Sequence, residues 1–137
     1  MKFTIRVICI FGLGYLATLW FPWWSVAAVG FAVGLLLSEK RKRRRLFGKQ
    51  PTPPRTFLAG FLAVFLLWGV FAFWADWQNH SLLSEKISRI VVPEGNIFLS
   101  RAWIMILVTA IVGGLAGGFS TMTGNLLGEM VRGQEKD

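Results

Sequence analysis

The sequence predicts an all-α membrane protein, a bundle of four transmembrane helices built from two helical hairpins. Three observations support this: four long apolar runs, a dense basic block after the second run, and tryptophans at the run ends. The chain has 137 residues, of which 54% are hydrophobic and 16% charged. Soluble domains carry about 25% charged residues. The length fits a single membrane domain over residues 1–137.

The first hairpin is predicted from two spans, at about residues 5–21 and 23–39. Pro22 separates them and suits the first turn of a helix, where its missing N–H is harmless. The apolar run within each span, at about 7–21 and 23–37, measures roughly 22 Å as a helix, less than the hydrocarbon thickness of about 30 Å. We therefore expect both helices to extend beyond their apolar parts, with Lys2, Arg6 and Lys40 reaching the headgroups.

The second hairpin is predicted from spans at about 57–77 and 101–121, with an outer loop over 78–100 between them. The first of these spans carries no charge before Asp76. In the loop, residues 81–91 place apolar side chains at helical spacing. We expect a short amphipathic helix that Pro93 ends and that lies on the outer membrane surface. Docking of this helix on a partner is the alternative.

The basic block lies in a loop over residues 38–55, which we expect to be cytoplasmic because positive loops stay inside. An even number of spans then places both termini on the cytoplasmic side. Anionic headgroups are the expected partner, at about 1 kcal/mol per basic side chain. Nucleic acid is not expected, since no aromatic residues alternate with the charges. The block consists of Lys40, Arg41, Lys42, Arg43, Arg44 and Arg45.

Tryptophan placement gives an independent indication of the same orientation. Indole rings prefer the membrane interface, and six of the seven tryptophans fall at predicted outer span ends. This outer aromatic belt comprises Trp20, Trp23, Trp24, Trp74, Trp77 and Trp103. Trp68 alone falls in mid-span. A cleaved signal peptide over residues 1–28 is disfavoured, because the apolar run continues past its cleavage-like site.

Span four carries a repeated pattern of small residues. Small side chains every four positions let helix backbones approach closely, which is how helices associate in lipid. The helix-packing residues predicted from this spacing are Gly30, Gly34, Thr109, Ala110, Gly113, Gly114, Gly117, Gly118 and Thr121. Gly30 and Gly34 belong to span two. The two threonines are expected to add interhelical hydrogen bonds. Whether the partner helix belongs to this chain or to another stays open.

The sequence offers no set of residues for catalysis. Cys9 is the only cysteine and His80 the only histidine, so neither a disulfide nor a metal cluster is expected. We interpret His80 as a solvated interfacial residue. No ionisable residue lies near a span centre, which disfavours proton-coupled transport. We therefore expect no enzyme activity, no cofactor and no metal.

Three segments, 21–24, 57–61 and 113–118, together resemble small, uncharacterised four-helix integral membrane proteins of Bacteroidetes-type bacteria. The resemblance implies a bacterial inner (cytoplasmic) membrane and brings no activity. The leading functional hypothesis is a non-catalytic accessory or scaffold subunit of a multi-subunit complex, which packs on other subunits or copies of itself through the small-residue face of span four. The alternative is a small homo-oligomeric transporter or channel, with Thr109, Thr121, Thr123 and Asn125 along its path.

Overall fold

The computed structural model describes residues 2–38, 53–80, 82, 86–87 and 101–134. The long elements of this part are helices: α1 (Lys2–Trp20), α2 (Ser25–Leu36), α3 (Pro53–Gln78) and α4 (Arg101–Gln134). The basic block at residues 40–45 lies outside the described residues, as does nearly all of the amphipathic helix predicted over 81–91. Both remain predictions.

Three of these helices are long and apolar enough to cross a membrane, over Phe3–Trp20, Pro54–Gln78 and Trp103–Arg132. The prediction of an all-helical membrane protein is confirmed to that extent. The second predicted span, 23–39, differs from its prediction. Its helix α2 has 12 residues, or roughly 18 Å, and a full crossing takes about 20 residues. It is shorter because a turn occupies residues 21–24 and the helix ends at its C-cap, Leu37.

The four helices form a ring in the order α1, α2, α4, α3. Each helix packs on its two ring neighbours, and α2 and α3 meet only briefly across the middle. The two hairpins lie side by side in the same direction, with α1 parallel to α3 and α2 parallel to α4. We call the end that holds the N-termini of α1 and α3 the inner end. The end with the α1–α2 turn and the last residues of α3 is the outer end.

Short turns set the outer ends of the helices. Pro22 lies in the turn before α2, not in its first helical turn as predicted, and its carbonyl accepts from the Ser25 amide at 2.9 Å. Helix α3 ends where His80 takes a left-handed conformation, with φ 49°. A residue in that conformation commonly ends a helix. His80 is exposed, as a solvated residue should be.

The apolar core lies between α1, α2 and α3. Ile10, Val26, Ala63 and Leu67 are almost completely buried there. Helix α4 closes the other side of the ring mainly with glycines, and Ala110 is buried beside them. The outward faces are rich in exposed leucine, phenylalanine and tryptophan. Such a surface suits contact with lipid, whose chains are as apolar as leucine.

Candidate functional site, a polar junction at the inner end

Arg6 lies at the centre of the inner end. Sequence reasoning placed its side chain at the headgroups, but only 9% of the residue is exposed. The side chain points into the ring because α1 presents this position toward α3, on the same side as Ile10 one turn later. A cation so deeply buried needs hydrogen-bonding partners, since its desolvation is costly.

The Arg6 guanidinium connects α1 to the other three helices. Its Nη1 donates to the Thr56 hydroxyl of α3 at 2.8 Å. Its Nη2 donates to the Leu37 carbonyl at the end of α2 at 2.6 Å, and to Oδ1 of Asn125 on α4 at 3.0 Å. The planar fork of arginine suits several acceptors at once. We call this set of four residues the polar junction.

A second arginine completes the C-terminal end of α2. Arg132 of α4 donates from Nη2 to the Leu36 carbonyl at 2.9 Å, and from Nη1 to the Ser38 carbonyl and hydroxyl. The last carbonyls of a helix have no partner within the helix and carry partial negative charge. Two guanidinium groups therefore satisfy and neutralise the end of this short helix.

Asn125 extends the hydrogen-bonded network of the polar junction by one turn along α4. Its Nδ2 donates to Oε1 of Glu129 at 2.8 Å, while its Oδ1 accepts from Arg6. Both hydrogen-bonding atoms of the Asn125 amide are therefore engaged. Glu129 adds a negative charge one turn from Asn125, which lowers the net positive charge of the inner end.

The small residues predicted on span four lie against this chain's own α3. A Cβ atom on Gly113 would meet the Trp68 ring at 2.5 Å, and one on Gly114 would meet the Phe61 ring at 2.9 Å. Gly117 and Gly118 lie equally close to Val64 and to Phe57. Ala110 is buried. Glycine is thus the residue that lets large aromatic side chains of α3 lie on the α4 backbone.

The contact between α2 and α4 brings backbone against backbone. Added Cβ atoms on Gly34 and Gly124 would meet main-chain oxygens, of Thr121 and Phe31 respectively. A Cβ atom added to Gly30 would lie 3.0 Å from the Thr121 hydroxyl oxygen. A Cβ atom on Gly128 would meet the Ser38 hydroxyl and the Leu35 carbonyl oxygen at the end of α2. A side chain larger than glycine at these positions would force α2 and α4 apart.

The hydroxyls of Thr109 and Thr121 stay within α4, and the interhelical bonds predicted for them are not seen. Thr109 Oγ1 donates to the Met105 carbonyl at 2.9 Å, and Thr121 Oγ1 to the Gly117 carbonyl at 2.8 Å. Threonine in a helix commonly donates to the carbonyl four residues earlier. Thr121 is fully buried between α2 and α3, so its contribution there is packing.

Two tryptophans of the predicted outer belt pack on aromatic rings of α3. Trp23, at the tip of the α1–α2 hairpin, packs edge-to-face on Trp68, with centroids 6.4 Å apart. Trp103, at the start of α4, stacks on Phe73 at 5.8 Å. Trp68 therefore has a tryptophan neighbour, although sequence reasoning left it alone in mid-span. Trp20, Trp24, Trp74 and Trp77 are exposed.

A groove of about 480 Å³ opens beside the hairpin tip. Its lining is mostly aromatic and aliphatic. The Thr18 hydroxyl donates to the Tyr15 carbonyl at 2.7 Å, and Thr109 is engaged within α4, so both polar side chains of the lining are occupied. The lining residues are Thr18, Leu19, Phe21, Trp23, Trp68, Phe71, Ala72 and Thr109.

The chemistry of the inner end is that of helix attachment. Its arginines bind carbonyl, hydroxyl and amide oxygens of neighbouring helices. Within the part of the chain that the structure describes, no three His, Cys, Asp or Glu side chains come together as metal ligands. The sequence did not indicate that Thr56 and Ser38 would bind these arginines. One feature of the sequence does indicate that Arg6 is buried. It lies within an apolar run, with apolar residues at position 5 and at positions 7–10.

No protein-family model, curated protein or solved structure matches the chain significantly.

Proposed function

We propose that the protein is a non-catalytic accessory or scaffold subunit of a bacterial inner-membrane complex. The observation that carries this proposal is the polar junction. Arg6 is a buried cation, and it donates hydrogen bonds to the three other helices. Buried polar groups that only join helices make a stable unit without a reacting group.

The alternative, a homo-oligomeric channel or transporter, has less support from these contacts. Its predicted path followed the polar residues of α4. Thr121 and Asn125 are buried and hydrogen-bonded within the bundle, and the neighbouring glycines lie against α2 and α3. A path along this face requires the helices to separate. A scaffold needs no such movement.

The small-residue face of α4 is occupied by this chain's own helices. We therefore propose that a partner subunit binds one of the exposed apolar stripes. The stripe on α3 includes Leu62, Leu66 and Val70, and the one on α1 includes Leu16 and Leu19. In lipid such a stripe gains a partner through shape and van der Waals contact.

We further propose that all four helices cross the membrane and that both termini are cytoplasmic. The parallel arrangement of the hairpins supports this, because it brings the N-termini of α1 and α3 and the C-termini of α2 and α4 to one end. Residues 39–52 connect α2 to α3 at that end, and they contain the basic block.

Affinity purification tests the accessory role. The tagged chain is extracted into native lipid nanodiscs and analysed by native mass spectrometry. We expect other membrane subunits in fixed stoichiometry. Leu66→Trp and Leu16→Trp, which enlarge matched exposed positions on α3 and α1, then identify the docking side by loss of the partner from one variant. A stable monomer or a homo-oligomer, together with solute flux in liposomes, would contradict the proposal.

A further inference from the structure

The groove at the outer end is formed by three helices and the turn that follows α1. Helix α1 contributes its last turn, α3 contributes residues between Trp68 and Ala72, and α4 contributes Thr109. The volume of the groove, about 480 Å³, is within the range of roughly 300–1,000 Å³ that is usual for small-molecule sites. The groove is therefore large enough for a small organic ligand.

The aromatic walls of the groove are held in place by their neighbours. The Trp68 ring lies against the backbone of α4 at Gly113, where an added Cβ atom would clash with it. Phe71 stacks on Tyr15 of α1, with ring planes 8° apart and centroids 6.0 Å apart. Because packing within the chain fixes these rings, a ligand that binds between them has little ordering to do.

The two indole rings of the groove meet at nearly a right angle. Trp23 and Trp68 have ring planes inclined at 77° and centroids 6.4 Å apart, and both residues line the groove. The face of an aromatic ring carries negative potential, and tryptophan attracts cations more strongly than the other aromatic residues do. Aromatic side chains that surround one space from different directions are the means by which proteins bind quaternary ammonium groups.

The polar atoms of the lining also favour a cation. The hydroxyl groups of Thr18 and Thr109 donate their hydrogens to the carbonyls of Tyr15 and Met105, at 2.7 and 2.9 Å. Each hydroxyl oxygen keeps its lone pairs as acceptors. Among the described residues that line the groove, none carries a charge. The lining thus presents ring faces and acceptor oxygens to a ligand, and no positive group that would repel a cation.

We propose that this groove binds a soluble organic cation with apolar substituents, of the quaternary ammonium class. The substituents contact the aliphatic and aromatic side chains of the lining, and the positive charge lies beside Trp23 and Trp68. A choline lipid carries a phosphate next to its ammonium group, and the described lining has no basic side chain to bind that phosphate. This inference concerns the outer end and is independent of the proposed subunit role, which rests on the polar junction.

Titration with benzyltrimethylammonium tests the requirement for charge. The full chain is purified in a maltoside detergent, which contains no choline group, and binding is measured by ligand-observed NMR. The matched neutral ligand is 2,2-dimethylpropylbenzene, in which carbon replaces the nitrogen and the shape is kept. We expect the cation to bind at least about fivefold more tightly, because a desolvated cation–π contact contributes that much. Equal or tighter binding of the neutral ligand would show a merely apolar groove and overturn the proposal.

Fluorinated tryptophans test the rings without changing their packing. Each added fluorine withdraws electron density from the indole face and so weakens its attraction for a cation. We expect the affinity for benzyltrimethylammonium to fall stepwise when the series is incorporated at Trp23 and at Trp68. The same series at Trp20, which is 86% exposed and does not line the groove, should leave the affinity unchanged. Constant affinity at either groove position would contradict a site formed by both rings.

A pair of substitutions in the hairpin tip gives a second readout. Trp23→Leu removes one wall of the groove and should weaken binding of the cation at least about fivefold. Trp20→Leu is its matched control and should bind as the parent does. Thermal stability of both variants is measured alongside, and the fluorinated chains decide the question if Trp23→Leu does not fold. Unchanged affinity in a folded Trp23→Leu would overturn the proposal.

Phosphocholine separates a free cation from a lipid headgroup as the ligand. It differs from choline by the phosphate, which the described lining has no basic side chain to bind. We therefore expect phosphocholine to bind more weakly than choline in the same NMR titration. Equal or tighter binding of phosphocholine would assign the groove to choline lipids and overturn the assignment to a soluble cation.

Discussion

The inner half of the bundle, around residues 117–128 of α4, and the outer half, around residues 103–110 of α4, are held together by different means. In the inner half, α4 lies between α2 and α3, and Gly34 and Gly124 bring main chain against main chain. In the outer half, a Cβ on Gly69 would lie an ordinary 3.6 Å from Ala110, and the contact between Phe73 and Trp103 is made by rings. The inner half also contains the polar junction around Arg6.

The difference teaches where glycine is required in a membrane helix. Helix α4 needs it where α2 and α3 press on the same segment, as on either side of Thr121, and also where aromatic rings of α3 alone lie on its backbone, as at Gly113 and Gly114. Toward the start of α4 only α3 packs on it, and exposed Leu107 and Val108 are tolerated there. Small residues at four-residue spacing indicate a helix face that allows close packing. The helices that pack on this face determine which of its small residues cannot be replaced.

Gly117→Leu should produce the largest effect. A Cβ at this position already presses on the Val64 side chain and lies 2.9 Å from the Gly60 carbonyl oxygen, so the larger side chain forces α3 and α4 apart. We expect a loss of at least about 3 kcal/mol in unfolding free energy, measured by titration with a denaturing detergent in mixed micelles. Ala116→Leu places the same side chain on the exposed face one residue earlier and should change little. Equal losses of unfolding free energy in Gly117→Leu and Ala116→Leu would contradict the close packing of α3 on Gly117.

The same small change in the two halves should separate them next. Gly34→Ala adds a methyl group against the Thr121 carbonyl, which is backbone and cannot turn aside. We expect it to lower the unfolding free energy by about 2–3 kcal/mol. Gly69→Ala in the outer half and Gly12→Ala, where nothing lies within 4 Å, should be neutral or slightly stabilising, because alanine is the better helix former. Similar losses of unfolding free energy in Gly34→Ala and Gly69→Ala would mean that the inner and outer halves are packed equally tightly.

Arg6→Met should cost about 2 kcal/mol of unfolding free energy, because it leaves the Leu37 carbonyl and the Asn125 amide without their donor. Arg6→Lys should restore little, since one ammonium group cannot match the three acceptors of the fork. Arg132→Met, whose side chain is only half-buried, should cost less than Arg6→Met. The same mixed-micelle titration measures all three, and a near-neutral Arg6→Met would show that the junction does not stabilise the bundle.

Trp23→Leu should have the smallest effect. It removes the edge-to-face contact with Trp68, worth about 1 kcal/mol, in the half where packing is less tight. Trp20→Leu, at the exposed neighbouring position, serves as its control. A loss at Trp23 as large as that at Gly34 would mean that the outer half is as tightly constrained as the inner half.

Periodicity and composition were sufficient to predict helices over most of the described chain. Long apolar runs such as residues 57–77 and 101–121 specify helices by length alone. The glycines of α4 were identifiable from their four-residue spacing. Their neighbours were not, since spacing does not reveal which helix approaches, and the aromatic rings of Phe61 and Trp68 carry no signal of facing a glycine.

The length of α2 and the inward orientation of Arg6 escaped sequence reasoning for a common reason. An apolar run through Leu37 reads as a continuous span, whereas the helix ends where Arg6 and Arg132 bind its last carbonyls. Those donors are 31 and 96 residues away from their acceptors. A terminal arginine in sequence reads as a headgroup anchor, and only the fold shows that it faces inward.

Hydrogen–deuterium exchange of the protein in nanodiscs tests the contrast between the halves most directly. A bilayer by itself protects the two ends of α4 alike. The glycine contacts and the polar junction predict that amides of residues 117–128 exchange at least about tenfold more slowly than those of residues 103–110, which corresponds to roughly 1.4 kcal/mol in opening free energy. Equal exchange in the two segments, or slower exchange in residues 103–110, would contradict the account.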